Sequence, residues 1–282
     1  MPELPEVETV RRGLAARLPG KEVASVVVRR GDLRLPVPEA ALREALPGSR
    51  LRQVERRAKY LMLRFDHGGV LIHLGMTGVL RVVDAAAPPQ RHDHLDLIFT
   101  HGEALRFTDP RRFGAVLWAA GEPLEHPALA GLGPEPLEPS FNGAELSRRA
   151  TGRRRGLRDL LLEGRVVAGV GNIYASESLF RARLHPVASC ETLTPRQWNG
   201  LAEAIREVLG EAVAAGGTTL RDYQNAEGKP GYFQQALRVY GREGEPCPRC
   251  GTAIQRLVLA GRGAWYCPDC QPLKVPRRIA RP

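Results

Sequence analysis

Residues 247–270 read Cys247-Pro-Arg-Cys250-Gly-Thr-Ala-Ile-Gln-Arg-Leu-Val-Leu-Ala-Gly-Arg-Gly-Ala-Trp-Tyr-Cys267-Pro-Asp-Cys270, two C-x-x-C pairs separated by 16 residues. Each such turn offers two thiolates to one ion, and two turns complete a closed tetrahedral site of the structural zinc kind. A single pair would read as a redox motif; two at this spacing do not. Ile254, Leu257, Val258 and Leu259, followed by Trp265 and Tyr266, predict a small β-hairpin between the pairs. So few apolar residues cannot fold a unit alone, so the metal must supply folding free energy. Arg249, Arg256 and Arg262 in the same stretch point toward phosphates. Cys190 is left over as an ordinary free thiol.

Before this unit the pattern is helical. Thr194 is a good N-cap and Pro195 a good first residue, while Trp198, Leu201, Ile205, Val208 and Ala212 form one apolar stripe that Gly216 ends. The stretch 216–235 is rich in Gly and polar side chains and reads as a loop. Gly131-Leu-Gly-Pro-Glu-Pro-Leu-Glu-Pro139 reads as a linker, and no internal repeat is present. From Val23 to about Trp118 the chain turns β-rich, with apolar or alternating runs at 23–28, 60–65, 69–74, 78–83, 94–100 and 114–119. That spacing predicts a sandwich or barrel. Residues 5–18 predict a leading helix, with Pro5 in its first turn and Val7, Val10, Leu14 and Leu18 on one face.

Charge narrows the partners. Lys plus Arg total 41 against 31 for Asp plus Glu, a formal net charge of +10. The excess favours a polyanion, nucleic acid first, although a merely soluble basic protein has the same balance. No apolar stretch approaches the roughly 20 residues that span a bilayer. The acidic start lacks the apolar core of a signal peptide, and paired C-x-x-C turns suit a reducing compartment, so a cytoplasmic protein is expected.

Only four lysines occur, Lys21, Lys59, Lys229 and Lys274, among 41 basic residues. Arginine serves for charge but does not give up its proton near neutral pH, so Lys59 inside an Arg-rich run hints at a need for a titratable amine. Pro2, exposed by removal of Met1, would present a secondary amine able to attack a deoxyribose anomeric carbon, giving a cationic iminium. Glu3 beside it is a candidate acid or base. Alone, Met-Pro-Glu is an ordinary start.

The order of motifs changes that reading. Met1-Pro-Glu-Leu-Pro-Glu-Val-Glu-Thr9, Arg56-Arg-Ala-Lys-Tyr60, His73-Leu-Gly-Met-Thr-Gly78, Asp109-Pro-Arg-Arg-Phe-Gly114, Gly169-Val-Gly-Asn-Ile-Tyr-Ala-Ser-Glu177 and the two cysteine pairs follow one another along nearly the whole chain. Together they closely resemble the formamidopyrimidine-DNA glycosylases. The resemblance implies an α+β, multidomain fold: an N-terminal β-sandwich with a leading helix over residues 1–131, a helical helix–two-turn–helix domain over 132–235 with a lesion-recognition loop at 217–233, a zinc finger over 236–271 and a basic tail over 272–282.

It also implies a chemistry: removal of oxidised purines from double-stranded DNA, followed by β,δ-elimination at the abasic site, by a monomer with one structural zinc. By resemblance Pro2 is the nucleophile, Glu3 the proton donor, Lys59 the β-elimination lysine and Arg262 the arginine tied to δ-elimination. Met76, Arg111 and Phe113 match the side chains that fill the gap left by an extruded nucleotide. His73, His92, Arg112, Asn172 and a basic residue of Arg153–Arg155, taken as Arg153, match backbone-contacting positions, and Arg221 is a further phosphate candidate. The G-x-G at Gly169 has no strand–helix–strand context for a dinucleotide. Two rivals remain: the pyrimidine-directed endonuclease VIII branch, disfavoured by Leu4 and by the Asp109–Gly114 motif, and a non-catalytic damage sensor, which would not need Pro2, Glu3 and Lys59 together.

Overall fold

The computed structural model describes residues 2–217 and 237–273. Its elements in chain order are α1 (Leu4–Ala15), β1 (Val23–Val28), α2 (Glu39–Ala45), β2 (Leu51–Arg57), β3 (Tyr60–Phe65), β4 (Gly69–His73), β5 (Val79–Asp84), β6 (Asp93–Phe99), β7 (Glu103–Thr108) and β8 (Ala115–Ala119). Then come α3 (Pro127–Ala130), α4 (Gly143–Ala150), α5 (Leu157–Leu161), α6 (Asn172–Arg181), α7 (Pro195–Ala214), β9 (Gln255–Leu259) and β10 (Arg262–Tyr266). Two compact units are present. One runs from the N-terminus to Gly131 and includes residues 212–217; the other holds Leu132–Glu211 and the C-terminal cysteine segment.

In the first unit two four-stranded antiparallel sheets, ordered β1-β6-β7-β5 and β2-β3-β4-β8, share one apolar core. Leu95, Leu97, Phe99, Leu105 and Phe107 from one sheet meet Leu61, Leu63, Val70, Ile72 and Val116 from the other, and Val7, Val10 and Leu14 of α1 join them. This is the expected sandwich with a leading helix. The helix stops at Ala15 rather than at residue 18. Pro19 disfavours helical backbone at Leu18, which stays buried and donates its N–H to the Leu14 carbonyl at 2.9 Å.

In this unit two strands and two short helices, α2 and α3, escaped the sequence reading. β2 is an edge strand carrying only two buried side chains, Leu51 and Val54, and its charged residues guard that edge. β7 is internal, yet it contains Arg106 at 3% exposure. Asp96 takes that guanidinium in a two-pronged pair at 3.0 and 2.9 Å, which compensates the buried charge. The remaining Arg106 N–H groups hold the carbonyls of Pro88 and Ala87 at 3.3 and 3.0 Å, pinning the loop before His92. α2 is a short helix that begins behind Pro38.

The second unit is helical and ends in the hairpin. α6 begins at Asn172 with Gly171 as N-cap and ends at Arg181; Arg183 just beyond it has φ +57°. α7 starts as its sequence demands: Thr194 Oγ1 accepts the Gln197 N–H at 3.3 Å and Gln197 Oε1 accepts the Thr194 N–H at 2.9 Å. β9 and β10 pair antiparallel across the expected hairpin. Among the described residues no helix is long and apolar enough to cross a membrane.

Candidate active site and DNA interface

The start of α1 is buried. Pro2 is enclosed, and Glu3, at 1% exposure, occupies the N-cap and donates its N–H to the Glu6 carboxylate at 2.8 Å. Lys59 sits elsewhere in the same unit, in the two-residue turn Ala58-Lys59 between the paired residues Arg57 and Tyr60. Ala58 has φ +54°, a conformation that costs a residue with a Cβ on the order of 1 kcal/mol or more. The next hairpin brings His73 opposite Tyr60, with ring centroids 4.9 Å apart.

His73 Nδ1 accepts the Gly75 N–H at 3.0 Å, so its proton lies on Nε2 as a donor. Burial, then the charges of Lys59 and Arg34, push its pKa down to about 4. The ring is therefore neutral near pH 7, with one N–H to donate. The unfolded chain protonates near pH 6.5 and the folded ring only near 4, so stability falls as pH drops through that window. His73→Asn should remove roughly 1–3 kcal/mol of that loss. Urea melts of both proteins at pH 7 and pH 5 give the comparison; an equal loss in both would reject the assigned ring state.

The loops 74–78 and 109–114 interlock. Asp109, fully buried, accepts Thr77 Oγ1 at 2.5 Å, the Gly114 N–H at 2.8 Å and the Arg111 N–H at 3.3 Å. Its carbonyl accepts His94 Nε2 at 2.7 Å, and its N–H donates to the His92 carbonyl at 3.0 Å. Gly75 has φ +65°, and a Cβ there would lie 2.4 Å from the Phe113 backbone, so glycine alone permits the close approach. These constraints present Met76 and Phe113 at 39% and 44% exposure, large apolar side chains left in solvent. The Arg111 guanidinium lies 4.7 Å from the Phe113 ring centroid. Arg112, at φ +57°, pairs with Asp32 at 2.8 Å, and Arg34 N–H donates to the Gly114 carbonyl at 3.2 Å.

In the second unit Asn172 is fixed at both ends of its amide. Oδ1 accepts Arg158 Nε and an Arg158 terminal N–H at 3.1 and 2.7 Å, and Nδ2 donates to the Gly263 carbonyl at 2.9 Å. Arg158 is 1% exposed and also reaches Asp159 at 2.5 Å and the Leu259 carbonyl at 3.3 Å. Ala260 and Gly261, with φ of +46° and +74°, make the two-residue hairpin turn between Leu259 and Arg262, leaving Arg262 exposed. The Sγ atoms of Cys247, Cys250, Cys267 and Cys270 all lie within 4.8 Å of one another, with separations of 3.4, 3.5 and 3.9 Å among three of the pairs. Tetrahedral zinc at about 2.3 Å from each sulfur needs sulfurs about 3.8 Å apart. The four thiols fit one structural zinc ion.

Residues 1–116, 132–224 and 244–273 match three families in turn: the formamidopyrimidine-DNA glycosylase N-terminal domain, the formamidopyrimidine-DNA glycosylase H2TH domain, and the zinc finger found in FPG and IleRS. The formamidopyrimidine-DNA glycosylase of Alkalilimnicola ehrlichii is 52% identical over 277 residues, covering 96% of this chain and all of that protein. That decides the family. The chain belongs to the formamidopyrimidine-DNA glycosylases. Among solved formamidopyrimidine-DNA glycosylase structures, the MutM (Fpg) protein from Thermus thermophilus matches at TM-score 0.87 and 42% identity, over 97% of this chain and all of that one. A mutant Lactococcus lactis Fpg in complex with Fapy-dG-containing DNA matches at TM-score 0.88 and 34% identity, over 96% of this chain and all of that one.

Within this formamidopyrimidine-DNA glycosylase frame, the remaining candidates differ in their surroundings. Arg153 is engaged, its guanidinium on Glu163 and on the Arg149 carbonyl, while Arg154 beside it is exposed. Arg249 is exposed yet engaged: it lies 4.6 Å from the Phe180 ring centroid and donates to the carbonyls of Phe180 and Arg181. Arg221 and, beyond Gly217, the loop 217–233 lie outside the described residues, as does the tail from residue 274. Sequence reasoning missed Asp109, Arg158 and Glu177. The buried Glu177 carboxylate accepts the N–H groups of Arg238, Val239 and Tyr240 at 2.9, 2.9 and 2.8 Å, although burial pushes its pKa upward. The Asp-Pro pair was a turn signal that could have flagged Asp109; Arg158 and Glu177 act through tertiary contacts and leave no local signal.

Proposed function

We propose that this chain is a bifunctional DNA glycosylase and abasic-site lyase of base excision repair, removing 8-oxoguanine and formamidopyrimidines from duplex DNA. The observation that carries the reading is the pair of interlocked loops holding Met76, Arg111 and Phe113 in solvent. An apolar wedge beside a guanidinium is what an enzyme needs to fill the gap left by an extruded nucleotide. Pro2 nitrogen attacks C1′ as the bond from C1′ to the base breaks, and the base leaves with a proton delivered by Glu3. The sugar ring opens to an iminium. Loss of a C2′ proton, assisted by Lys59, expels the 3′ phosphate; a second elimination, assisted by Arg262, expels the 5′ phosphate.

His73, His92, Arg112, Arg153, Asn172 and Arg221 are assigned to the DNA backbone. The division is a catalytic sandwich over residues 1–131, a helical DNA-binding domain over 132–235, a zinc finger that brings Arg262 over 236–271, and a basic tail over 272–282. A monomer in the cytoplasm, on the nucleoid when bound, completes the reading. The test is borohydride trapping with duplex DNA containing 8-oxoguanine. A covalent adduct of one chain per strand is expected, and base release without any trapped adduct would refute the iminium route.

A further inference from the structure

The basic run that ends in Lys59 has one member placed unlike a phosphate contact. Arg56 is only 10% exposed, and its Nε donates to Glu8 Oε2 of α1 at 3.1 Å. A terminal N–H of the same guanidinium donates to the Ala58 carbonyl at 3.0 Å. That carbonyl belongs to the residue held at φ +54° and 3% exposure, directly before Lys59. We propose that Arg56 is a positioning residue for Lys59, locking the strained Ala58-Lys59 turn to the helix that follows directly on Pro2 and Glu3. The inference rests on the lyase reading above and adds to it the part that sets the lysine's place.

Three features converge on this role. A left-handed alanine persists only where its surroundings over-determine it, and the Arg56 bond to its carbonyl is such a constraint. The clamp is anchored, because Glu8 is itself 12% exposed and also holds Arg11 and Arg12 at 2.8 and 3.0 Å. Burial pushes the Glu8 carboxyl upward, yet Arg11 and Arg56 hold it below the usual carboxylate range, so the anchor stays charged. A planar guanidinium joins a carboxylate on one element to a carbonyl on another in fixed geometry, which a flexible ammonium does not. Displacing an amine by about 1 Å from its reacting proton can cost on the order of a hundredfold in rate.

The experiment compares the zinc-loaded wild type with Arg56→Gln on duplex DNA carrying a preformed abasic site. Expected are a kcat for strand cleavage lowered roughly tenfold or more, a KM within about threefold, and the same final yield of borohydride-trapped Pro2 adduct. The slope of log binding constant against log salt should stay that of the wild type, whereas a lost phosphate contact would flatten it by about 0.9. An unchanged kcat, or a raised KM with a flatter salt slope, overturns the assignment. Should Arg56→Gln fail to fold, Glu8→Gln keeps the Arg56 bond to Ala58 but removes its charged anchor. It should lower the same kcat by roughly threefold without moving the salt slope, and no change there also overturns it. Failure of the wild type to trap would instead sink the lyase reading itself, a separate result.

Discussion

Protein that retains Met1, or that carries any N-terminal tag, is expected to lose base release and borohydride trapping together while still binding duplex DNA. Acylation turns the Pro2 nitrogen from an amine into an amide, which is no nucleophile. Binding should survive because the exposed loop residues Met76, Arg111 and Phe113 belong to other elements of the sandwich. The paired control is Glu3→Gln, which keeps the amine. It should slow base release by roughly 10²–10⁴-fold yet still give an adduct on a preformed abasic site. The measurement is single-turnover excision and trapping on both substrates, with the N-terminus verified by mass spectrometry. Full turnover by a verified extended protein would end the amine mechanism.

How much of this was legible in the sequence depends on how each residue acts. Pro2, Lys59 and the cysteine pairs announce themselves because their chemistry is rare: a penultimate proline, a lysine in a run of arginines, thiols at metal spacing. Strands such as β4, with four consecutive buried residues out of five, carry the continuous apolar run that sequence reading detects. β2 and β7 do not, because one keeps charges along an edge and the other hides Arg106 against Asp96. Asp109, Arg56 and Arg158 stayed invisible for a related reason. Each is a polar residue in a basic or turn-like stretch whose value comes from a partner distant in sequence: Thr77 for Asp109, Glu8 for Arg56, Leu259 for Arg158. Composition counts the two arginines only as charge, whereas burial shows them working inside the fold.

Cys250→Ser is expected to lose the zinc ion and most of the DNA affinity while the sandwich stays folded. The apolar cluster under the hairpin consists of Phe180, Val239, Cys247, Ile254 and Cys267, so two of its five members are themselves metal ligands. Val258 is 64% exposed, and β9 contributes no fully buried side chain. Such a core cannot offset the chain entropy of ordering the hairpin. Binding free energy of roughly 10–16 kcal/mol for structural zinc is what makes the segment fold, and three ligands do not retain it. The consequence reaches beyond the finger. The hairpin turn holds Arg262, and the carbonyls of Leu259 and Gly263 are the partners of Arg158 and Asn172. Unfolding it releases both the exposed arginine and one side of the Asn172 amide. Both contacts should go together, but only Arg262 carries a charge, so the slope of log affinity against log salt should fall by about 0.9. Affinity at moderate salt should fall by at least tenfold. Metal content by atomic absorption, binding titrations at several salt concentrations and a thermal melt of the sandwich give the three readings. A zinc-free variant with wild-type affinity and salt slope would show that the hairpin takes no part in holding DNA.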